Sequence, residues 1–279
     1  MTTWQVTEPH RLTIDGDITS LSVWLASGRL NVVGTDGPAR VEITAVGTRG
    51  VAVSDDGGIL SIRHDVDRKW HWAGPFWWFL HGRRRYHAEI SLAVPRSAAG
   101  GLTVVSGSAV VSGLRAGVVV DVTSGRITLL GLDGVVRAKT VSGSIEALGV
   151  SGDLTMETVS GEIIVADSSA DRVYAQAISG SITCDLDNPY ASDVRLETVS
   201  GEITARVPED ADLEVRLRAT SGQVTSAFPQ VRAVGAQHFK VYTGRLGSGA
   251  GHLTASAVSG HVALLTRPAL TFADGSDAG

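Results

Sequence analysis

Cysteine occurs once in 279 residues, at Cys184. A lone thiol forms no internal disulfide, so a stapled scaffold is excluded and a small core side chain is expected there. Charge is sparse too: 19% of residues are charged and the net charge is −5. A weakly acidic balance argues against a generic nucleic-acid binder. With 43% hydrophobic residues the composition also argues against disorder. No run approaches the roughly 20 apolar residues that span a bilayer. Residues 1–16 contain no apolar run of the kind a signal peptide needs. The expected location is the cytoplasm, with the inner membrane face as a peripheral docking surface. Chemistry-bearing motifs are missing as well. There is no Gly-x-Ser-x-Gly elbow, phosphate loop, dinucleotide fingerprint, zinc-protease helix or calcium-binding nonapeptide. The expectation is a protein that is not an enzyme and carries no cofactor.

What is present is a beat. Ser106-Gly107, Ser124-Gly125, Ser142-Gly143 and Ser160-Gly161 follow one another at 18 residues; Ser179-Gly180, Ser200-Gly201 and Ser221-Gly222 follow at 19, 21 and 21. A fixed short period marks a repeat architecture. Two, four and six residues before the serine lie apolar or small residues: Val136, Ala138 and Thr140; Leu154, Met156 and Thr158; Val173, Ala175 and Ala177; Val194, Leu196 and Thr198. Mostly polar residues alternate with them, and period two is a strand. Three residues after the serine stands a branched apolar residue: Ile127, Ile145, Ile163, Ile182, Ile203, Val224. Each unit therefore reads as strand, tight corner, strand, looser turn. One such unit cannot bury its apolar face alone; stacked units can, each strand pairing with its equivalent at about 4.8 Å.

The fold expected is all-β: a single-stranded parallel β-solenoid, or β-helix, of about nine to eleven short coils with an irregular N-terminal cap. The corner glycines are Gly28, Gly107, Gly125, Gly143, Gly161, Gly180, Gly201, Gly222, Gly244 and Gly260. Counting Thr243-Gly244 and Ser259-Gly260, nine coils run from 106 to 265, a stack roughly 40 Å tall at that strand spacing. Residues 1–100 form the capping coils, with an insertion at 68–87. Residues 101–266 form the regular solenoid, continuous with the cap as one domain, and 267–279 form a flexible tail.

The insertion breaks the pattern. Between the strand-like 59–63 and 88–94 it carries Trp70, Trp72, Phe76, Trp77, Trp78, Phe79, Arg83, Arg84 and Arg85, with Gly74-Pro75 as a turn. Three readings stay open. The aromatics cover a flank or an open end of the stack, since exposed strand edges need covering. Or they dock a protein partner, as Trp, Tyr and Arg dominate binding energy. Or they settle at a membrane surface, where Trp and Phe flanked by basic residues belong. The spacing of His64, His71, His81 and His87 matches no ligand pattern, so no metal is expected. Three arginines on an acidic chain read as a solvated or lipid-facing rim, not a nucleic-acid site.

One carboxylate ladder bears on catalysis. Glu157 and Glu162 flank one corner and Glu197 and Glu202 flank another; equivalent glutamates stand two coils apart, about 9–10 Å by strand spacing. That is the wide end of an inverting glycosidase pair. Gln176 and Ser181 lie between them, so a solvated face is the expected reading and a carbohydrate-active lateral face the alternative.

The corners 140–145 (Thr-Val-Ser-Gly-Ser-Ile), 158–163 (Thr-Val-Ser-Gly-Glu-Ile) and 198–203 (Thr-Val-Ser-Gly-Glu-Ile) resemble the repeat of the bacterial putative-adhesin family. That family is a domain of unknown function, also called the β-strand-repeat or Toast-rack family. The opening coil, Ser22 to Gly34, is similar to the family's usual start, and the resemblance covers roughly 18–266. It implies a non-enzymatic β-solenoid with relatives tied to bacterial surfaces and envelope stress. The function expected is an interaction scaffold that docks a protein partner or the inner membrane surface through the Trp/Arg-rich loop. Self-association through the stack ends is the structural alternative.

Overall fold

The computed structural model describes residues 2–14, 16–64, 86–187, 192–234 and 241–267, and among them there is no helix. The chain opens with two short strands, β1 (Thr2–Val6) and β2 (His10–Ile14). A long strand, β3 (Ser20–Thr35), then turns through Ser27-Gly28 without losing its pairing. β4 (Ala39–Val46), β5 (Val51–Asp56) and β6 (Ile59–His64) follow, then β7 (His87–Pro95). β6 pairs with the first arm of β3 and β7 with the second, both parallel, so together they make one rung beneath it. β5 and β4 close that rung antiparallel, and β1 and β2 close those in turn. The cap is thus a mixed sheet. Antiparallel strands end the parallel stack here, and among the described residues the two five-residue strands β1 and β2 are left as its edges.

From β3 the stack rises through β8 (Ala99–Ser112) and β9 (Val118–Leu130), each again a whole coil. Next come β10 (Val135–Ser142) with β11 (Ile145–Leu148), then β12 (Ser151–Ser160), β13 (Ile163–Ser179) and β14 (Ile182–Leu186), then β15 (Asp193–Ser200) with β16 (Ile203–Pro208). All pair in parallel with the serines in register: Ser124, Ser142, Ser160, Ser179 and Ser200 stand over one another. The pleat sends alternate residues inward. Ile127, Ile145, Ile163, Ile182 and Ile203 form one vertical column and are fully buried. Each such side chain contributes roughly 1.5–3 kcal/mol by leaving water. Cys184 sits between Val165 and Ala205 in the neighbouring column, fully buried and free.

The glycine at each corner is a stacking requirement. A Cβ on Gly161 would stand 1.9 Å from the carbonyl oxygen of Gly143, and its φ is +150°. The same contact recurs from corner to corner, so the glycines form a column in which each backbone rests on the one below.

That column reveals the stacking order. Gly201 rests on Gly180, Gly260 on Gly201, and Gly222 on Gly260. The last coils are therefore out of sequence order. β17 (Leu213–Ser221) and β18 (Val224–Ser226) lie one rung too far out. The chain then forms β19 (Arg232–Val234) and β20 (Val241–Leu246), and returns as β21 (Gly251–Ser259) and β22 (Val262–Arg267) to fill the vacant rung. β21 pairs in parallel with β15 on one side and β17 on the other; β22 does so with β16 and β18. β20 runs antiparallel to the outer edge of β17 and β19 antiparallel to β20. This corrects the reading of Thr243-Gly244 as a corner. Gly244 pairs with Val215 in the antiparallel strand β20, because the stack needs a closing edge there, not another coil. Among the described residues, the rung of β6 and β7 and the Ser-Gly corners at 27, 106, 124, 142, 160, 179, 200, 259 and 221 make ten coils.

The return crosses over the start of β17, where Asp212 holds it. The Ser248 hydroxyl donates to Asp212 Oδ2 at 2.7 Å. The Gly249 and Ala250 amides donate to Oδ1, and the Gly251 amide donates to the Asp212 carbonyl at 3.0 Å. These bonds hold the carboxyl below its ordinary pKa, that from Ser248 first. At the far end of the inserted rung, Arg267 pairs with Asp185, Asp187 and Asp167.

Candidate binding edge

In five consecutive rungs the residue just before the corner serine faces out and is aliphatic. Val141, Val159, Ile178, Val199 and Val258 are 52, 44, 48, 46 and 51% exposed. They stack in the order the serines do. Five rungs at strand spacing give an apolar ladder roughly 19 Å long. Isolated exposed aliphatics are ordinary, but a contiguous row is a candidate contact surface.

Polar columns run along both sides. On the first arm stand Lys139, Glu157, Gln176, Glu197 and Ser256, paired rung to rung. Lys139 bridges to Glu157 at 3.0 Å and Arg195 to Glu197 at 2.6 Å. The Tyr174 hydroxyl donates toward Gln176 at 3.0 Å and Glu197 at 3.2 Å. Burial, then the charge of Glu197, raises that phenol's pKa. On the second arm Glu162 and Glu202 are exposed. Among the described residues neither has an ion-pair partner. A groove of about 310 Å³ runs along three rungs of the ladder, lined by Asp121, Lys139, Val141, Glu157, Val159 and Ile178. Thr140 and Thr158 lie under it, buried, with hydroxyls that find no hydrogen-bond partner. The equivalent Thr198 donates to the Gly180 carbonyl at 3.2 Å.

As a catalytic pair, Glu157 and Glu197 are two rungs apart with Gln176 between, each engaged by a cation of its own face. The register expected from the sequence is the register observed.

The Trp/Arg-rich insertion has its roots on this same edge. β6 ends opposite the first arm of β3, and β7 begins with His87 opposite Ser27. The insertion thus departs where a Ser-Gly corner would otherwise be. His64 is buried at this root; the Ala26 amide donates to its Nδ1 at 3.2 Å, and Tyr86 packs edge-on at 6.0 Å. Burial, reinforced by the charge of His87, lowers its pKa to about 4. The adjoining corner, Ala26 and Ser27, is buried, unlike the corners higher up. Trp70, Trp72, Phe76, Trp77, Trp78, Phe79, Arg83, Arg84 and Arg85 lie outside the described residues, as do His71, His81 and the tail from 268 onward.

Gly28, Gly107, Gly125, Gly143, Gly161, Gly201, Gly222 and Gly260 stand at corners with positive φ, and Gly180 shares their stacking contact. Among the described residues no three His, Cys, Asp or Glu side chains are placed to hold a metal. No described helix is long and apolar enough to cross a membrane. The aliphatic ladder itself escaped the sequence reading. Its trace is the branched residue recurring just before Ser-Gly at 141, 159, 178, 199 and 258, which in isolation reads as one more strand residue.

The family model described as Toastrack DUF4097 matches residues 18–265. No curated protein matches the chain. Among solved structures it is similar to a putative adhesin from Bacteroides fragilis, with 12% identity, TM-score 0.46, and 95% of this chain and 96% of that one covered. A putative adhesin from Parabacteroides distasonis is similar at 12% identity and TM-score 0.39, covering 95% and 97% of the two chains. A putative cell adhesion protein from Clostridium sporogenes is similar at 12% identity and TM-score 0.29, covering 93% and 100%.

Proposed function

We propose that this chain, which belongs to the Toastrack DUF4097 family, is a non-enzymatic binding scaffold that docks a protein partner through the insertion at 68–87. One observation carries the reading: the insertion is rooted at a corner of the stack, on the edge that bears the exposed aliphatic ladder. A stack paired rung on rung is a rigid support. A rigid support lowers the ordering cost of what it presents. Trp70, Trp72, Trp77 and Trp78 with Arg83 to Arg85 supply the residue types that dominate interface energies. The cytoplasm, with the partner at or near the inner membrane face, is the setting proposed, and envelope stress is the process implied by the family resemblance.

The test is a pull-down with the full chain and with Trp77→Ala/Trp78→Ala, alongside sedimentation with anionic vesicles. Loss of a captured partner with an unchanged melting curve supports the reading. Capture that survives the double substitution sinks it. Vesicle binding lost on substitution, with no protein captured, replaces the partner by the membrane. A variant that no longer folds makes the insertion a structural cover.

A further inference from the structure

We propose that the aliphatic ladder is itself a docking site, and that its occupant is an amphipathic helix of a partner protein with lysine or arginine beside its apolar stripe. This does not rest on the insertion. Three features on the edge select that occupant.

The first is pitch. The ladder presents one aliphatic group per rung, about 4.8 Å apart. A helix presents its apolar stripe every 3.5–3.6 residues at 1.5 Å rise, so about every 5.3 Å. Over the five rungs the two rows drift apart by only about 2 Å, less than half a rung. A strand lying along the ladder repeats each face every 6.6–6.8 Å, and falls out of step at once. The span of roughly 19 Å takes about 13 helical residues.

The second is charge. The residues flanking Val141 to Val258 are Lys139, Glu157, Glu197, Glu162, Glu202 and His261, with uncharged Gln176, Ser256, Ser144 and Ser181 between them. Glu157 and Glu197 are engaged by Lys139 and Arg195. Glu162 and Glu202 remain, on one side and two rungs apart, with exposed carboxylates. Two cationic side chains about two helical turns apart meet both. The same carboxylates repel an anionic lipid surface and face like charge when two copies meet edge to edge, which disfavours those occupants.

The third is shape. The groove is walled by Asp121, Lys139 and Glu157 on the first arm and floored by Val141, Val159 and Ile178, three of the five ladder residues, so a cylinder seated on Val159 and Ile178 lies along it and continues over the open rungs of Val199 and Val258. This is the helix-in-groove mode with the groove made by stacked corners instead of helices.

The experiment uses the full chain and fluorescence anisotropy. The probe is a labelled 18-residue helical peptide with a leucine stripe flanked by lysines; its counterpart has glutamates for the lysines. The lysine peptide should bind at least tenfold more tightly than the glutamate peptide, and less tightly as salt is raised. Glu162→Lys/Glu202→Lys should weaken it at least tenfold, and Val159→Asp/Val199→Asp should abolish it, with unchanged melting. Trp77→Ala/Trp78→Ala should leave it intact, which separates this site from the insertion. Equal binding of the two peptides would overturn the proposal. So would indifference to the Glu162 and Glu202 substitutions, loss with the tryptophan variant alone, or anionic vesicles displacing the peptide.

Discussion

Replacing Gly161 with alanine should open the stack, and a second glycine supplies the comparison. Gly161 and Gly131 both have positive φ, +150° and +55°. A side chain at either costs backbone strain of about 1–2 kcal/mol. They differ in what lies beyond. At Gly131 a Cβ meets nothing within 4 Å; at Gly161 it meets the Gly143 oxygen at 1.9 Å. Ordinary contact begins near 3.4 Å, so the rungs must part by about 1.5 Å at that corner. Two bonds bracket it, Gly143 N–H to the Ser160 carbonyl and Ile145 N–H to the Glu162 carbonyl, both 2.9 Å. Each contributes about 1 kcal/mol net. Gly161→Ala should therefore cost about 3–4 kcal/mol and Gly131→Ala about 1–2 kcal/mol. Urea denaturation gives the totals, and amide exchange locates them: protection should fall at 143–145 and 161–163 only in the first variant. Equal costs for the two would refute the idea that the corner column bears the rungs on one another.

Asp212→Ala should release the return of the chain over β17, read as fast exchange of the Gly249 and Ala250 amides at every pH. In the native chain the carboxyl's folded pKa is depressed, so its contribution is present above the ordinary carboxylate value and is lost as pH falls through the lowered one. His64 is held neutral, with its pKa lowered to about 4. The unfolded chain then binds a proton first as pH falls, so stability should drop between about 6.5 and about 4, by about 3 kcal/mol at most; His64→Gln should flatten that stretch, and an unchanged slope would refute it. Cys184 is fully buried with its thiol pushed up to about 12. It should resist a thiol reagent in the native state and react in denaturant, and fast native labelling would show that the core opens there.

The solenoid was legible in the residues because its physics is local. Alternation at 136–140 or 154–158 writes a strand, Ser-Gly writes a corner, and a period near 18 sets each Ile over the last, so Ile127 to Ile203 could be placed in one column without coordinates. The carboxylate register of Glu157, Gln176 and Glu197 came from the same arithmetic. Three things did not. The N-terminal cap mixes antiparallel strands because an end must be closed, and closure leaves no period. The rung of Ser259-Gly260 carries the same pattern as its neighbours, so nothing local says that it lies between Ser200 and Ser221; that is fixed by which edges remain open once Leu213–Ser226 has been laid one rung out. And the exposure of Val141, Val159, Ile178, Val199 and Val258 is invisible in a list of branched residues. Sequence alone determines what a rung is, because pleat and corner are decided within a few residues of each other. Only the tertiary structure decides the order of the rungs and which edge they leave bare, because both depend on pairings between residues far apart in the chain.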